Sequence, residues 1–493
     1  MITFVTALAL LILGYLFYGA YVEKVFGADK NRQTPAYTKQ DGVDYIPMKS
    51  WKVYLIQFLN IAGTGPIFGA IMGVMFGPAA YLWIVIGCIF GGAVHDYLAG
   101  MISLRKNGAS LPEVVGDELG GAGRQTMRVL SLLLMIMVGA VFVTTPAGLL
   151  NGLCPISLGT YSAWPLIIFC YYILATLLPI DALIGRIYPV FGIALIIMAV
   201  GVLFGVLIQD GTLPEITEAF ENHHPGKLPL FPMLFITIAC GAVSGFHATQ
   251  SPMMARCLKN EKIGRPIFYG AMITEGLVAL IWAAAAMKFA DMLNVEGNTP
   301  YEKLAAFLAQ NNGNVAAVVN AICHDWLGTV GAVLAILGVV AAPITSGDTA
   351  FRAARLIASD FLHFDQSTIK KRLLIAVPLF VIAAILMNMD FSILWRYFAW
   401  LNQTLSIFTF WAITVWLAKN GKNYIITMIP ALWMTMVCST YILISPKEGL
   451  AALMTGVDNW NQICYLLGLA VTCFCGFTFF KWMKNNQNMS IHE

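Results

Sequence analysis

Runs of about 20 predominantly apolar residues recur along almost the whole chain, and a run of that length crosses the hydrocarbon core of a bilayer as one α-helix. Read with that window, the sequence holds about 13 candidate spans, at approximately 2–22, 51–76, 80–104, 126–150, 163–179, 187–208, 229–255, 264–288, 327–351, 373–388, 391–417, 423–444 and 460–482. Composition points the same way. Of 493 residues, 59% are hydrophobic and 11% charged, against roughly 25% charged in a soluble globular chain. So few charges cannot solvate the surface of a water-soluble fold, so lipid is the solvent for much of this one. A net charge of +3 gives no reason to expect a nucleic-acid partner.

The distribution of basic residues tests the span list independently, because cytoplasmic loops collect Lys and Arg. With the N-terminus outside, the loops expected inside hold 24 of the 29 Lys and Arg, and the outside segments hold Lys227, Lys288, Lys303 and Lys447. A missing or extra helix would scramble this alternation. The expected topology is therefore N-terminus outside and C-terminus inside. The stretch Ile2 to Tyr18 has no basic flank and no small-residue cleavage site, so it reads as a retained first helix. The longest outside segment, about 289–326, offers a short amphipathic helix along Leu304 to Leu308. The ten cysteines lie mostly inside apolar runs, and Cys473 and Cys475 have the wrong spacing for a CxxC motif.

Two spans are interrupted. The second reads Ile61-Ala62-Gly63-Thr64-Gly65-Pro66-Ile67, and the seventh reads Cys240-Gly241-Ala242-Val243-Ser244-Gly245-Phe246-His247 followed by Ala248-Thr249-Gln250-Ser251-Pro252. Glycine and proline weaken helices, and irregular backbone survives at membrane depth only beside protein or a wet cavity. One such site alone reads as a packing kink. Two sites five spans apart have opposite orientations, which is the pattern of an inverted five-plus-five repeat whose broken helices hold a solute. The repeats run over 51–208 and 229–417, with 1–50 as an extra helix and cytoplasmic loop and 418–493 as two further helices and a tail, all within a single membrane domain.

Other classes lack their signatures. HExxH, GxSxG and P-loop motifs are absent from the sequence, which argues against a metalloprotease, a serine hydrolase or a nucleotide-driven pump. Nothing resembles a carbonyl filter or a charged ring. A membrane nutrient receptor without transport is the main alternative to a carrier.

The stretches Asn60 to Gly73, Gly92 to Asp96 and Ala239 to His247, and the run from the N-terminus through Leu111-Pro112-Glu113, resemble the carbon starvation protein A (CstA) family. At fold level the chain also resembles the amino acid–polyamine–organocation (LeuT-like) superfamily. The resemblance implies an all-α polytopic protein of the bacterial cytoplasmic (inner) membrane, with a LeuT-like 5+5 inverted repeat and discontinuous helices. It implies import of a small organic nutrient, a peptide or a pyruvate-like carboxylate, with Na+ or H+ as coupling ion and no other cofactor. The long family members extend further and read differently after the His of the SGFH motif, whereas here His247 is followed by Ala-Thr-Gln-Ser-Pro.

The solute site is expected at Gly63, Thr64, Gly65 and Pro66 and at Ser244, Gly245, Phe246, His247, Thr249 and Gln250, where small residues expose backbone amides suited to a carboxylate. Proton-coupling candidates are His247, Asp348, Glu275, His95 and Asp96, since ionisable groups at membrane depth are functional by default. The competing reading makes each a structural partner: Asp348 for Arg352 one turn on, and His95 for Asp96. Resemblance to LeuT-like carriers makes Thr345, Ser346, Asp348 and Ala62 a candidate Na+ site, hydroxyls and freed carbonyls being hard oxygen ligands. Arg396 with Asp390 reads as an outer-end ion pair, and Asn402 with Gln403 as helix–helix contacts.

Overall fold

The computed structural model describes residues 1–42, 44–159, 161–177, 180–311, 313–364, 368–389, 391–445, 449–452 and 459–489; Asp390 and Lys447 lie outside them. The bundle is built from helices α1 (Ile2–Phe26), α2 (Ser50–Ile61), α3 (Gly65–Phe76), α4 (Ala79–Arg105), α5 (Leu111–Leu153), α6 (Trp164–Leu177), α7 (Ile180–Ile208), α8 (Leu230–Thr237) and α9 (Gly245–Ala255). It continues with α10 (Glu261–Met292), α11 (Pro300–Gln310), α12 (Val315–Ala335), α13 (Ala341–Leu362), α14 (Ile369–Leu386), α15 (Phe391–Lys419), α16 (Ile425–Ile444) and α17 (Trp460–Met489). A two-stranded antiparallel ribbon, Ser157–Leu158 with Tyr161–Ser162, lies between α5 and α6.

Among the described residues, eight helices are long and apolar enough to cross a membrane, and α2 with α3 makes a ninth as a pair bent by 45°. Four of the expected spans, 163–179, 229–255, 327–351 and 373–388, do not pass that test. The stretch expected at 327–351 is divided between α12 and α13, and α13 carries Asp348, Arg352, Arg355 and Asp360. Helices α8 and α9 are 8 and 11 residues long, each too short alone. The expected amphipathic segment is present as α11, whose Thr299 hydroxyl caps the Glu302 N–H and whose Tyr301, Leu304 and Leu308 face inward.

Burial grades the helices. The apolar windows of α4 and α10 are 83% buried, and that of α17 only 22%, so α4 and α10 are central and α17 peripheral. Helix α1 packs on the bundle through Gly14 and Gly19, which lie against Ile89 of α4 and Tyr269 of α10. The centre of the molecule is not purely apolar. Gln57, Asn60, His95, Asp96, His247, Gln250, Glu275, Ser346, Asp348, Asn402 and Gln403 are all buried there or beside it.

Candidate functional site at two helix breaks

Helix α2 ends because Ala62 leaves the helical region at φ −83°, ψ 46°, after donating its N–H to Phe58 O. The chain resumes as α3 at Gly65, with Pro66 in its first turn, where a missing N–H costs nothing. Stopping α2 frees carbonyls near its end. The Ser346 hydroxyl of α13 donates to two of them, Leu59 O at 3.3 Å and Asn60 O at 3.2 Å. Gly63 sits beside Phe142 of α5 and Ser346.

The second break runs from Ile238 to Ser244. Gly241 takes φ +88°, a conformation other L-residues rarely adopt. Three neighbouring helices satisfy the backbone there. Trp83 of α4 donates its indole N–H to Ile238 O at 3.1 Å. Glu275 of α10 accepts the Gly241 N–H at 3.0 Å. Asn402 of α15 accepts the Phe246 N–H at 2.6 Å and the Ser244 hydroxyl at 3.2 Å, so it caps α9. Gln403, the next residue, donates to Phe235 O in the last turns of α8. Asn402 and Gln403 are thus helix–helix contacts as the sequence suggested, and they hold the two sides of a break.

The breaks touch. Gly65, Gly69 and Gly73 form a small-residue face on α3 at i, i+4 and i+8, which lets backbones approach closely. A Cβ on Gly69 would lie 2.9 Å from Thr237 O, and one on Gly65 or Gly73 would overlap Cys240 or Ile238. Gly65 and Pro66 therefore act at this contact, with Pro66 also facing Gly241. Gly245 packs on the α15 backbone at Asn402.

Four of the five ionisable candidates meet in one buried chain. His95 Nδ1 is 2.9 Å from Asp96 Oδ1, and Asp96 Oδ2 is 2.8 Å from His247 Nδ1. His247 Nε2 faces Glu275 Oε2 at 3.4 Å, and the other Glu275 oxygen holds the Gly241 N–H at the second break. An ionised carboxylate only accepts, so each histidine presents an Nδ1–H to Asp96, and the proton state of the pair decides what His247 Nε2 offers Glu275. All four side chains are fully buried.

The fifth candidate lies elsewhere. Asp348 accepts from the Tyr188 hydroxyl at 2.9 Å, and Tyr188 also reaches Thr345 O. Thr345 spends its hydroxyl on Ala342 O within α13. Of the candidate cation ligands, Ser346 is the one that bonds to the first break. Thr249 donates to Phe246 O, and Gln250 donates to Thr249. Phe246 makes an edge contact with Phe142, which also meets Phe398.

Several residues at the site escaped the sequence reading. Gln57 and Asn60 sit on α2 just before the break, and their three-residue spacing in an otherwise apolar stretch is the signal that would have found them. Phe142, Phe398 and Trp83 carry no local signal, because apolar aromatics are unremarked in a membrane helix.

Comparison with known proteins follows the same lines. The family model described as carbon starvation protein CstA matches residues 1–161 and 153–325. The chain belongs to the CstA family. An uncharacterized membrane protein of Haemophilus influenzae is 45% identical over 338 residues, covering 59% of this chain and 91% of that one. Two named CstA-family relatives are more distant. The pyruvate/proton symporter BtsT of Escherichia coli is 29% identical over 405 residues, covering 69% of this chain and 56% of its own. The peptide transporter CstA of Campylobacter jejuni is 30% identical over 340 residues, covering 56% and 48%. The chain thus spans about half the length of these curated transporters. Among solved structures, a manganese transporter of Eremococcus coleocola is similar with a TM-score of 0.54 at 12% identity, covering 90% of this chain and 98% of that one. That likeness is one of fold. Apolar helices and family together make this an integral membrane protein.

Proposed function

We propose that this protein is a proton-coupled secondary transporter that imports a small organic nutrient, a peptide or a pyruvate-like carboxylate, across the bacterial cytoplasmic membrane. One observation carries the reading: four buried ionisable residues on three helices, α4, α9 and α10, form a single chain that ends on the backbone of a helix break. Charges at that depth are costly, and a fold that needed only packing would not retain them. Adding or removing one proton changes what Glu275 and His247 present to each other. Through the Gly241 N–H, the same change reaches the break, which lies against α3 of the other discontinuous helix. The names of the relatives support transport, and one of them is a proton symporter.

In this proposal the chain has 13 spans in two inverted repeats, with the N-terminus outside, and the solute binds where the breaks meet, between Gly63 and Thr64 on one side and Ser244 to Gln250 on the other. Ser346, with Thr345, Asp348 and Ala62, is the sodium alternative. The test is uptake of labelled pyruvate and labelled dipeptide into proteoliposomes under an imposed pH gradient or sodium gradient. Saturable accumulation driven by the pH gradient alone is expected. Accumulation driven only by sodium would transfer the coupling role to Ser346, and binding without uptake under either gradient would make the protein a receptor.

A further inference from the structure

We infer that Gln57, Asn60 and Gln250 form an amide-lined subsite that selects a solute carrying N–H donors, such as a short peptide or an amino compound, over a simple monocarboxylate. The inference rests on the transport reading and goes one step further, to the class of solute.

Gln57 and Asn60 lie one turn apart on one side of α2, immediately before the break, and both are buried. For each, the side-chain oxygen and the side-chain nitrogen are buried without a hydrogen-bond partner. The choice of amide orientation is therefore irrelevant, since both ends are unpaired either way. Gln250 belongs to α9, which packs against α2. Its nitrogen reaches Thr249, and its oxygen is likewise buried and unpaired. Buried polar atoms in folded proteins are nearly always paired, and those that are not need an explanation. A helix asked only to pack would carry leucine at these positions.

The inventory of unpaired groups indicates the missing partner. Three side-chain carbonyls require donors, and two amide NH₂ groups require acceptors. At neutral pH a monocarboxylate such as pyruvate offers acceptors alone, so it would leave all three carbonyls unpaired. A peptide offers ammonium and amide N–H groups together with carbonyl and carboxylate oxygens, and it can pair both sets. Rejection of a solute that lacks the required polar groups is the strong form of selectivity, because it leaves buried site groups unsatisfied. Phe142, beside Gly63 and in edge contact with Phe246, supplies an apolar wall for a side chain.

The test uses the full chain in lipid nanodiscs, titrated calorimetrically with L-alanyl-L-alanine and separately with sodium pyruvate. The wild type is expected to bind the dipeptide at least about tenfold more tightly than pyruvate, and Gln57→Leu or Asn60→Leu to weaken the dipeptide about tenfold and pyruvate by clearly less, so that the preference narrows. Melting curves of the unliganded variants should be unchanged or raised, because each removes unpaired buried groups; Gln250→Met is a third variant should either misfold. Equal wild-type affinities, no dipeptide binding, or variants that weaken both ligands alike would overturn the inference. Dipeptide binding without uptake would remove the transport reading and leave the subsite standing. Pyruvate uptake without dipeptide binding would do the reverse.

Discussion

Asp96 and His247 are 151 positions apart in sequence, and Asp96 Oδ2 lies 2.8 Å from His247 Nδ1 in the buried centre of the bundle. The contact locks α4 to α9 immediately beyond the second break. The second oxygen of Asp96 faces His95, so a single carboxylate orients two imidazoles. Asp96→Asn keeps the shape and removes the charge. Accumulation driven by a pH gradient should then fall by about 100-fold, the scale of losing a charged hydrogen bond, while solute counterflow stays within a few-fold of wild type. Parallel measurements of gradient-driven uptake and counterflow in proteoliposomes check this. Equal loss of both would mean that Asp96 supports the fold and not the coupling.

Glu275 has two separable duties. One oxygen holds the Gly241 N–H and the other faces His247. Glu275→Gln keeps an acceptor for Gly241 and removes the charge, so it should abolish coupling and alter the melting temperature little. Glu275→Leu removes both and leaves the Gly241 N–H unpaired, at a cost of about 1–3 kcal/mol. Melting curves of the two variants side by side distinguish these outcomes.

Asn402 caps α9 from a neighbouring helix. Asn402→Leu leaves the buried Phe246 N–H and Ser244 hydroxyl without this acceptor and should cost about 2–3 kcal/mol. Asn402→Asp retains the acceptor and should keep more of the stability than the leucine variant. Denaturation followed by circular dichroism in detergent reports the difference.

The glycine face of α3 predicts one repairable and one irreparable clash. At Gly73 an added methyl meets the side chain of Ile238, and at Gly69 it meets the backbone oxygen of Thr237. Gly73→Ala should destabilise by about 1–3 kcal/mol, the usual scale of overpacking. Ile238→Ala in the same molecule should recover at least about 1 kcal/mol of that. Gly69→Ala has no such partner to trim, so no side-chain substitution at Thr237 should rescue it. A double-mutant cycle on thermal stability measures both.

The helix breaks were legible because their causes are local: Gly63, Gly65 and Pro66 in one span, and Gly241 and Gly245 in the other. Their internal extent was less so. The second helix restarts at Gly245, so Phe246, His247, Thr249 and Gln250 stand on the helix after the break instead of in the unwound stretch itself. The meeting of His95 and Asp96 with His247 and Glu275 was not legible, because the contacts join three helices and nothing in any one of them records its neighbours. Asp348 looked equivalent to these in sequence, yet its helix turns it to Tyr188. Gln57 and Asn60 were hidden by their surroundings: two amides in an apolar stretch look incidental until both are found buried and unpaired.

One step along α15, about 1.5 Å of rise, separates the residue that holds the start of α9 from the residue that holds the end of α8. The two half-helices are thus pinned to adjacent points on one rigid rod. Their spacing across the break is therefore set by α15. The first break is joined to α13 by the hydroxyl of Ser346 alone among the described side-chain hydrogen bonds there, a clasp that a small shift releases. If the protein alternates its access, α8 and α9 form the axle, and the door is hung on α2 and α3.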